Sequence, residues 1–172
     1  ARMGTDKDWE RWGATDPYFG VISSDRFRKE GLDQAAKDDF FATGNAHVER
    51  VYRLVEEHFN QTFEPKAALD FGCGVGRLVL PLARRTELTV GIDISPSMIA
   101  EAADNASAAG ISNVKFILSD DRLSNVAGAF GLVHSYIVLQ HIPWKRGRRI
   151  LQALAERVEP GGVIAIHFFT AS

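Results

Sequence analysis

Residues 68–77 read ALDFGCGVGR, a short apolar run that ends in three glycines at alternate positions. Glycine adopts positive φ freely and has no Cβ, so a turn of this kind lets a ligand approach the main chain. The same pattern also forms a tight strand-to-helix turn that binds nothing, because a short glycine pattern is a weak signal. The turn alone leaves both interpretations open.

The composition of the chain argues against a nucleic-acid-binding protein and against a membrane protein. The chain has 172 residues, 45% of them hydrophobic, and a net charge of -2. This length can bury a full core as one domain. Because the chain lacks the excess of lysine and arginine that binds phosphate backbones, we expect no nucleic-acid partner. It has no apolar run of membrane-helix length and no signal-peptide core, so we expect no membrane association and a cytoplasmic protein.

From Lys66 onward, short apolar runs alternate with helical patterns, which is typical of a parallel sheet covered by helices on both faces. The predicted strands are residues 67–71, 88–93, 114–118, 132–137 and 163–169. Residues 1–64 instead show helical periodicity, clearest over residues 45–59, and many aromatic side chains. We therefore expect a helical cap over the ligand face (residues 1–64) and a ligand-binding sheet domain (residues 65–172).

Parallel sheets bind ligands at the carboxyl ends of their strands, so the last residues of each strand are candidate site residues. Asp93 ends the second predicted strand, 17 positions after Gly76. Its carboxylate can accept hydrogen bonds from the two hydroxyls of a ribose. An Asp here can also cap the next helix, but Ser95 already supplies that cap. Ile94 and Met98 would then lie beside an adenine ring.

Two adjacent carboxylates, Asp120 and Asp121, follow the third predicted strand. A carboxylate at this position can accept a hydrogen bond from an adenine amino group. A solvated turn is the competing interpretation. Because the two residues are adjacent, we expect only one of them to point into the site, and we favour Asp120.

Five ordered blocks of the chain resemble class I S-adenosylmethionine-dependent methyltransferases, which have a Rossmann-like fold. Beyond the glycine turn, they are GIDISPSM (91–98), FILSD (116–120), FGLVHSYIVLQHI (130–142) and EPGG (159–162). The resemblance implies an α/β fold of three layers with strand order 3-2-1-4-5, S-adenosylmethionine as cofactor and S-adenosylhomocysteine as product. The implied cofactor residues are Asp70, Gly72, Cys73, Gly74, Asp93, Ile94, Ser95, Met98, Asp120, Asp121, Ser135 and Tyr136.

Within this resemblance, Asp70 and the glycines would face the methionine part of the cofactor, and Ser135 with Tyr136 would lie near the sulfonium. Cys73 is better interpreted as a small turn residue than as a nucleophile. One departure is Gly131, which stands where the family often has Asp.

Methyl transfer from a sulfonium can be accelerated largely by positioning and desolvation, so a general base is needed only when the acceptor must lose a proton. His141, after the fourth strand, is our candidate base, although a histidine there can equally brace the loop. Tyr18, Phe19 and Trp144 are candidate walls of the acceptor pocket. We expect a small-molecule acceptor, because the fourth strand end lacks the Asn/Asp-Pro-Pro-Tyr/Phe motif of amino methyltransferases that act on adenine and glutamine. We assign no metal ligand.

Two other functions stay open from the sequence. One is a regulatory domain that binds S-adenosylmethionine without transferring its methyl group. The other is an NAD-linked oxidoreductase, which the chain fits poorly because Arg77 stands where the dinucleotide pattern requires its third glycine.

The fifth predicted strand carries five apolar residues close to the last residue of the chain: Val163, Ile164, Ile166, Phe168 and Phe169. Similar families usually add two further strands, without which this edge would be exposed. We therefore expect either a C-terminally truncated chain or a homodimer in which a second copy covers the edge.

Overall fold

The computed structural model describes residues 6–168 and contains a five-stranded sheet with helices on both of its faces. The strands are β1 (Ala67–Phe71), β2 (Leu88–Asp93), β3 (Val114–Leu118), β4 (Phe130–Ser135) and β5 (Val158–Ile166). The α-helices are α1 (Asp6–Thr15), α2 (Pro17–Val21), α3 (Gln34–Phe59), α4 (Val79–Ala83), α5 (Pro96–Ala108) and α6 (Trp144–Ala155).

All neighbouring strands are parallel and lie in the order β3-β2-β1-β4-β5, which confirms the predicted α/β class and strand order. The order reverses between β1 and β4, so the connections leave these two strands in opposite directions. A crevice forms at such a point, outside the carboxyl ends of the strands. Asp70 of β1 pairs with Gly91 on one side and with His134 on the other. The topology therefore places Asp70 at the base of the crevice.

The first three strands have the predicted bounds, whereas the last two differ. β4 ends at Ser135 and not at Ile137, because Ile137 adopts a positive φ of 62° that ends the ladder. β5 already begins at Val158, before the predicted Pro-Gly-Gly turn. Its register against β4 is irregular between Phe130 and Leu132, which accommodates the turn residues within the strand. Phe169, part of the predicted apolar edge, lies outside the described residues.

The N-terminal helices pack on the same end of the sheet as the crevice. α3 begins at Gln34, eleven residues before the predicted start, because the Asp33 carboxylate accepts a hydrogen bond from Ala36 N at 2.7 Å and caps it. An aromatic core joins these helices to the glycine turn and to α5; its buried members are Tyr18, Phe27, Phe40, Val75 and Met98. Within residues 6–168, no helix is both long and apolar enough to cross a bilayer.

Candidate functional site

A cavity of about 400 Å³ lies at the carboxyl ends of β1 to β4, beneath α1 and α2. This volume is within the usual range of small-molecule sites. Most of the predicted cofactor residues line it, and they are Asp70, Gly72, Cys73, Gly74, Asp93, Ile94, Met98, Asp120, Asp121 and Tyr136. Strand ends that are distant in the sequence are therefore brought together around one space.

The glycine turn requires glycine for its conformation and for its packing. Gly72, Gly74 and Gly76 have φ values of 73°, 52° and 85°, which side-chain-bearing residues seldom adopt. A Cβ on Gly72 would lie 2.4 Å from Val138 Cγ2, and one on Gly74 would lie 2.6 Å from Val21 Cγ2. The turn thus lies tightly between the loop after β4 and the cap, with its main chain against the cavity.

Asp93 connects β2 to the glycine turn. Its Oδ2 accepts a hydrogen bond from Gly74 N at 2.9 Å, and its Oδ1 accepts one from Ser95 N at 3.0 Å. Burial raises the pKa of this carboxyl, while the backbone hydrogen bonds act against the rise. An ionised carboxylate has about four acceptor positions, and the backbone N–H groups of Gly74, Ser95 and Ile94 use only part of them, so Asp93 keeps some acceptor capacity.

Two predicted cofactor residues, Ser95 and Ser135, are absent from the described lining of the cavity. Ser95 caps α5 by accepting from Met98 N at 3.1 Å, and it donates to Glu10 Oε2 at 2.6 Å. Ser135 is 1% exposed and donates to Phe71 O at 3.0 Å. Both hydroxyls therefore join parts of the chain to one another, and the structure does not support a direct cofactor contact for either.

Among the three predicted walls of an acceptor pocket, only Phe19 lines the cavity. Tyr18 is 2% exposed, and its hydroxyl donates to Glu101 Oε1 at 2.7 Å. Burial raises the pKa of this phenol. Trp144 is 75% exposed at the start of α6. The structure therefore does not bring Tyr18 and Trp144 to the cavity, because one aromatic ring belongs to the core and the other to the surface.

Asp120 and Asp121 both line the cavity but have different partners. Asp120 caps its own turn: it accepts from the Ser124 hydroxyl, from Ser124 N at 3.0 Å and from Arg122 N at 2.9 Å. These bonds, with the Ser124 hydroxyl first, lower its pKa. Asp121 accepts from Arg146 Nε at 2.7 and 2.8 Å. The preference for Asp120 as the adenine contact stays a prediction.

Arg146 links two acidic side chains at the cavity wall. Besides Asp121, its guanidinium binds Asp6 at the start of α1, with distances of 2.6 Å from Nη1 and 3.1 Å from Nη2. These ionic hydrogen bonds raise the pKa of Arg146. Arg146 belongs to a basic run at the start of α6 (residues 145–149), and it connects the cap to the sheet. This ion pair joins residues 140 positions apart, which no local pattern reveals.

Behind the cavity, Asp70 is joined to a pair of histidines. His134 Nδ1 lies 2.8 Å from Asp70 Oδ1, and His134 Nε2 lies 2.9 Å from His47 Nε2. Asp70 and His134 are each 2% exposed. His47 comes from α3, in the cap, and sequence reasoning missed it. The sequence offered one signal for His47, which was its position on the inward face of the predicted helix, one residue before the buried Val48.

Arg77 is a second residue that the sequence analysis did not assign to the site. Its buried guanidinium lines the cavity, and Nη1 donates to Thr43 Oγ1 at 3.2 Å. No described atom accepts from its Nε. A buried donor without an acceptor is costly in a folded protein. The cavity therefore contains a cationic group suited to an anionic part of a ligand.

Cys73 lines the cavity but is not a nucleophile. Burial raises the pKa of the Cys73 thiol, which keeps it protonated and unreactive.

His141 lines the cavity and its ring stands edge-on to Trp9, with centroids 5.3 Å apart. Burial lowers the pKa of His141, so its imidazole is neutral near pH 7 and able to accept a proton. Within the described residues, no group of three His, Cys, Asp or Glu side chains is arranged to hold a metal ion.

Comparison with known proteins gives a family for this arrangement. Residues 68–162 match the model of a family described as a methyltransferase domain. The match begins within β1, just before the glycine turn, and ends within β5, so it contains the carboxyl ends of β1 to β4, where the cavity lies.

Three relatives illustrate the range of this family. The chain is 34% identical over 93 residues to a 23S rRNA (uracil(1939)-C(5))-methyltransferase of Aeromonas hydrophila, covering 53% of the chain and 21% of that protein. It is 36% identical over 100 residues to trans-aconitate 2-methyltransferase of Deinococcus radiodurans, covering 57% and 36%. The structure of magnesium protoporphyrin IX methyltransferase from Synechocystis with bound SAM superposes with a TM-score of 0.57 at 26% identity, covering 90% and 73%.

Proposed function

We propose that this chain, which belongs to the methyltransferase domain family, transfers a methyl group from S-adenosylmethionine to an oxygen, nitrogen or carbon atom of a small molecule. The observation that carries the proposal is the cavity at the glycine turn, where Asp93 and the cationic Arg77 face one space. The chain spans 21% and 36% of the two curated relatives above, so the reaction of the whole protein is part of the proposal.

The residues around the cavity fit the parts of this cofactor. Asp93 keeps acceptor capacity for a ribose hydroxyl, and Ile94 and Met98 provide apolar contacts for adenine. At the other end, the unsatisfied Arg77 Nε suits the methionine carboxylate, and Asp70 suits its ammonium group. When bound, the cofactor supplies a methyl group on a sulfonium, which is already a good leaving group. The protein's task is then to orient the acceptor and to exclude water.

Two features favour a small acceptor over a nucleic acid. α1 and α2 cover the cavity, and carboxylates stand along its wall at Asp6, Asp120 and Asp121. Arg146 pairs with two of these three carboxylates, so the wall keeps an excess of negative charge that a phosphate backbone would meet, and the net charge of -2 gives no general attraction. The apolar lining from Trp9, Trp12 and Phe19, by contrast, suits a compact organic molecule.

His141 is our proposed base for acceptors that must lose a proton. It lines the cavity, and its lowered pKa keeps it unprotonated at neutral pH. An acceptor that is already nucleophilic would not need it.

Binding and turnover test the proposal separately. Isothermal titration with S-adenosylhomocysteine should show saturable binding, and titration with NAD should not; NAD binding without the former would overturn the cofactor. Labelled S-adenosylmethionine is then incubated with the protein and either a small-metabolite extract or total RNA. Label that enters small molecules supports the proposal, and label that enters RNA overturns the acceptor class. Binding without transfer to either pool would favour the regulatory alternative.

A further inference from the structure

The hydrogen-bonded chain Asp70–His134–His47 determines where its protons lie. A bond between two ring nitrogens needs one donor and one acceptor. If His47 donates from Nε2, then His134 Nε2 is unprotonated and a neutral His134 carries its proton on Nδ1. That nitrogen faces Asp70 Oδ1 at 2.8 Å. The proton position on a histidine is set in this way by the partner of its other nitrogen. In this arrangement His134 accepts from His47 and donates to Asp70, so each of the two hydrogen bonds has one donor and one acceptor.

The surroundings of His47 keep it neutral. It faces His134 of β4, Arg77 of the glycine turn, Arg50 of its own helix and His167 after β5, and all of these oppose a further positive charge. Burial is the largest cause, and together these effects lower the pKa of His47 to about 3. His47 is therefore a fixed neutral partner across the pH range in which enzymes work.

α3 approaches the site closely enough to hold this contact. A Cβ on Gly44 would lie 2.2 Å from Arg77 O, so only glycine allows the helix to lie at this depth. One turn later, the His47 ring packs on the Tyr136 ring with centroids 3.9 Å apart. Tyr136 itself lines the cavity. His47 thus contacts one wall residue directly and reaches Asp70 through His134.

We propose that His47 is a positioning residue for the methionine end of the cofactor site, holding His134 in the tautomer that donates to Asp70 and keeps its carboxyl group directed at the cavity. The inference rests on the proposed cofactor but not on the acceptor. It gives the N-terminal cap a second role besides covering the cavity, because the cap supplies the last member of the chain that orients Asp70.

Three variants separate this role from simple packing. His47→Phe keeps a ring against Tyr136 but removes the donor, His47→Gln keeps a donor, and His58→Phe changes an exposed histidine of the same helix. S-adenosylhomocysteine affinity should fall roughly tenfold in H47F, as expected when a hydrogen bond to a charged group is misplaced. H47Q should retain most of the affinity, and H58F all of it.

The pH profile provides a readout that a packing defect would not produce. In H47F the Nε2 of His134 is free to take a proton, and the resulting imidazolium would compete with the ligand ammonium for Asp70. The S-adenosylhomocysteine affinity of H47F should therefore fall more steeply with decreasing pH than that of the unsubstituted protein. Equal affinities and parallel profiles for H47F and the unsubstituted protein would overturn the proposal.

The tautomer can also be measured without any substitution. In the ¹⁵N NMR spectrum of the unsubstituted protein, His134 should show a protonated Nδ1 and an unprotonated Nε2. A protonated Nε2 on His134 would overturn the inference even if a variant failed to fold. If the unsubstituted protein did not bind S-adenosylhomocysteine, the proposed cofactor would fail, and the tautomer would still report on the histidine chain by itself.

Discussion

Asp93 Oδ2 accepts a hydrogen bond from the backbone N–H of Gly74 at 2.9 Å, which joins the end of β2 to the turn that follows β1. The same carboxylate accepts from Ser95 N at the start of α5. One side chain therefore fixes the relative positions of two loops that border the cavity. Because these bonds use only part of its acceptor capacity, Asp93 can hold the loops and a ligand at once.

Removing this carboxylate should weaken cofactor binding. In Asp93→Ala, the ribose loses a charged acceptor and the glycine turn loses a support. Hydrogen bonds to charged groups contribute about 1.5–3 kcal/mol each, so we expect S-adenosylhomocysteine affinity to fall about a hundredfold in isothermal titration. Asp104→Ala, which changes an exposed carboxylate on α5, is the matched control. Affinities within twofold of each other in the two variants would exclude the ribose role.

The Asp6–Arg146–Asp121 contact predicts that α1 controls release of the cofactor. Arg146→Ala would free α1 from the wall, and the remaining carboxylates would repel each other. Partly exposed ion pairs contribute up to about 1 kcal/mol, so the dissociation rate of S-adenosylhomocysteine should rise several-fold. Stopped-flow fluorescence of the tryptophans on α1 can follow this rate.

Arg148→Ala is the control for this experiment, because Arg148 is exposed on the same helix. Raising the ionic strength should speed dissociation in the unsubstituted protein and have little effect on R146A, since salt screens exposed charges. A dissociation rate of R146A equal to that of R148A would show that the ion pair does not hold the cap closed.

The sequence predicted those parts of the molecule that depend on local chemistry. The alternation of apolar runs predicted the five strands, the resemblance to class I methyltransferases implied their order, and the glycines and Asp93 predicted where the cavity would lie. Ser95 was correctly recognised as a helix cap, but its second partner, Glu10, lies 85 residues away. The contacts of Arg146, His47 and Tyr18 likewise join distant parts of the chain, so no pattern within one segment contains them.

The departure at Gly131 also has a tertiary cause. The sequence could note only that the family often has Asp there. In the structure, a Cβ on Gly131 would lie 2.8 Å from Pro65 Cβ and 2.9 Å from Glu159 Oε1. The space for a side chain at this position of β4 is already occupied by residues before β1 and within β5.

His141 provides a test of base catalysis. If it accepts a proton from the acceptor, His141→Ala should lower kcat about a hundredfold and leave S-adenosylhomocysteine affinity near that of the unsubstituted enzyme. Because burial lowers its pKa, activity should persist to a lower pH than for an exposed histidine and then fall as the ring is protonated. A kcat unchanged in H141A would assign His141 to bracing the loop against Trp9.

The depth at which α3 packs can be tested with a single methyl group. Gly44→Ala places a Cβ 2.2 Å from Arg77 O, a backbone atom that cannot move aside by rotation. Overpacking of this kind costs about 1–3 kcal/mol, which should lower the urea midpoint of unfolding. Gly31→Ala is the control, because nothing lies within 4 Å of its added Cβ. Equal midpoints would mean that α3 has freedom to shift.

Stability at acid pH should depend on His47. Its pKa is about 3 in the folded protein and near 6.5 when unfolded, so the unfolded chain binds an extra proton between these values. Folding stability contributed by this site is therefore present above pH 6.5 and is lost as the pH falls toward 3.

The expected loss in the free energy of unfolding is about 1 kcal/mol between pH 7 and pH 5, which is half of the value for a fully buried group, because His47 is only half-buried. Urea unfolding at the two pH values should show a loss about 1 kcal/mol larger in the unsubstituted protein and in H58F than in H47F, which lacks this titrating group, whereas the contribution of His141, whose pKa burial also lowers, is common to all three. A loss of equal size in H47F would place the acid-sensitive proton on another residue, and the neutral state of His47 would then contribute nothing to holding the cap on the sheet.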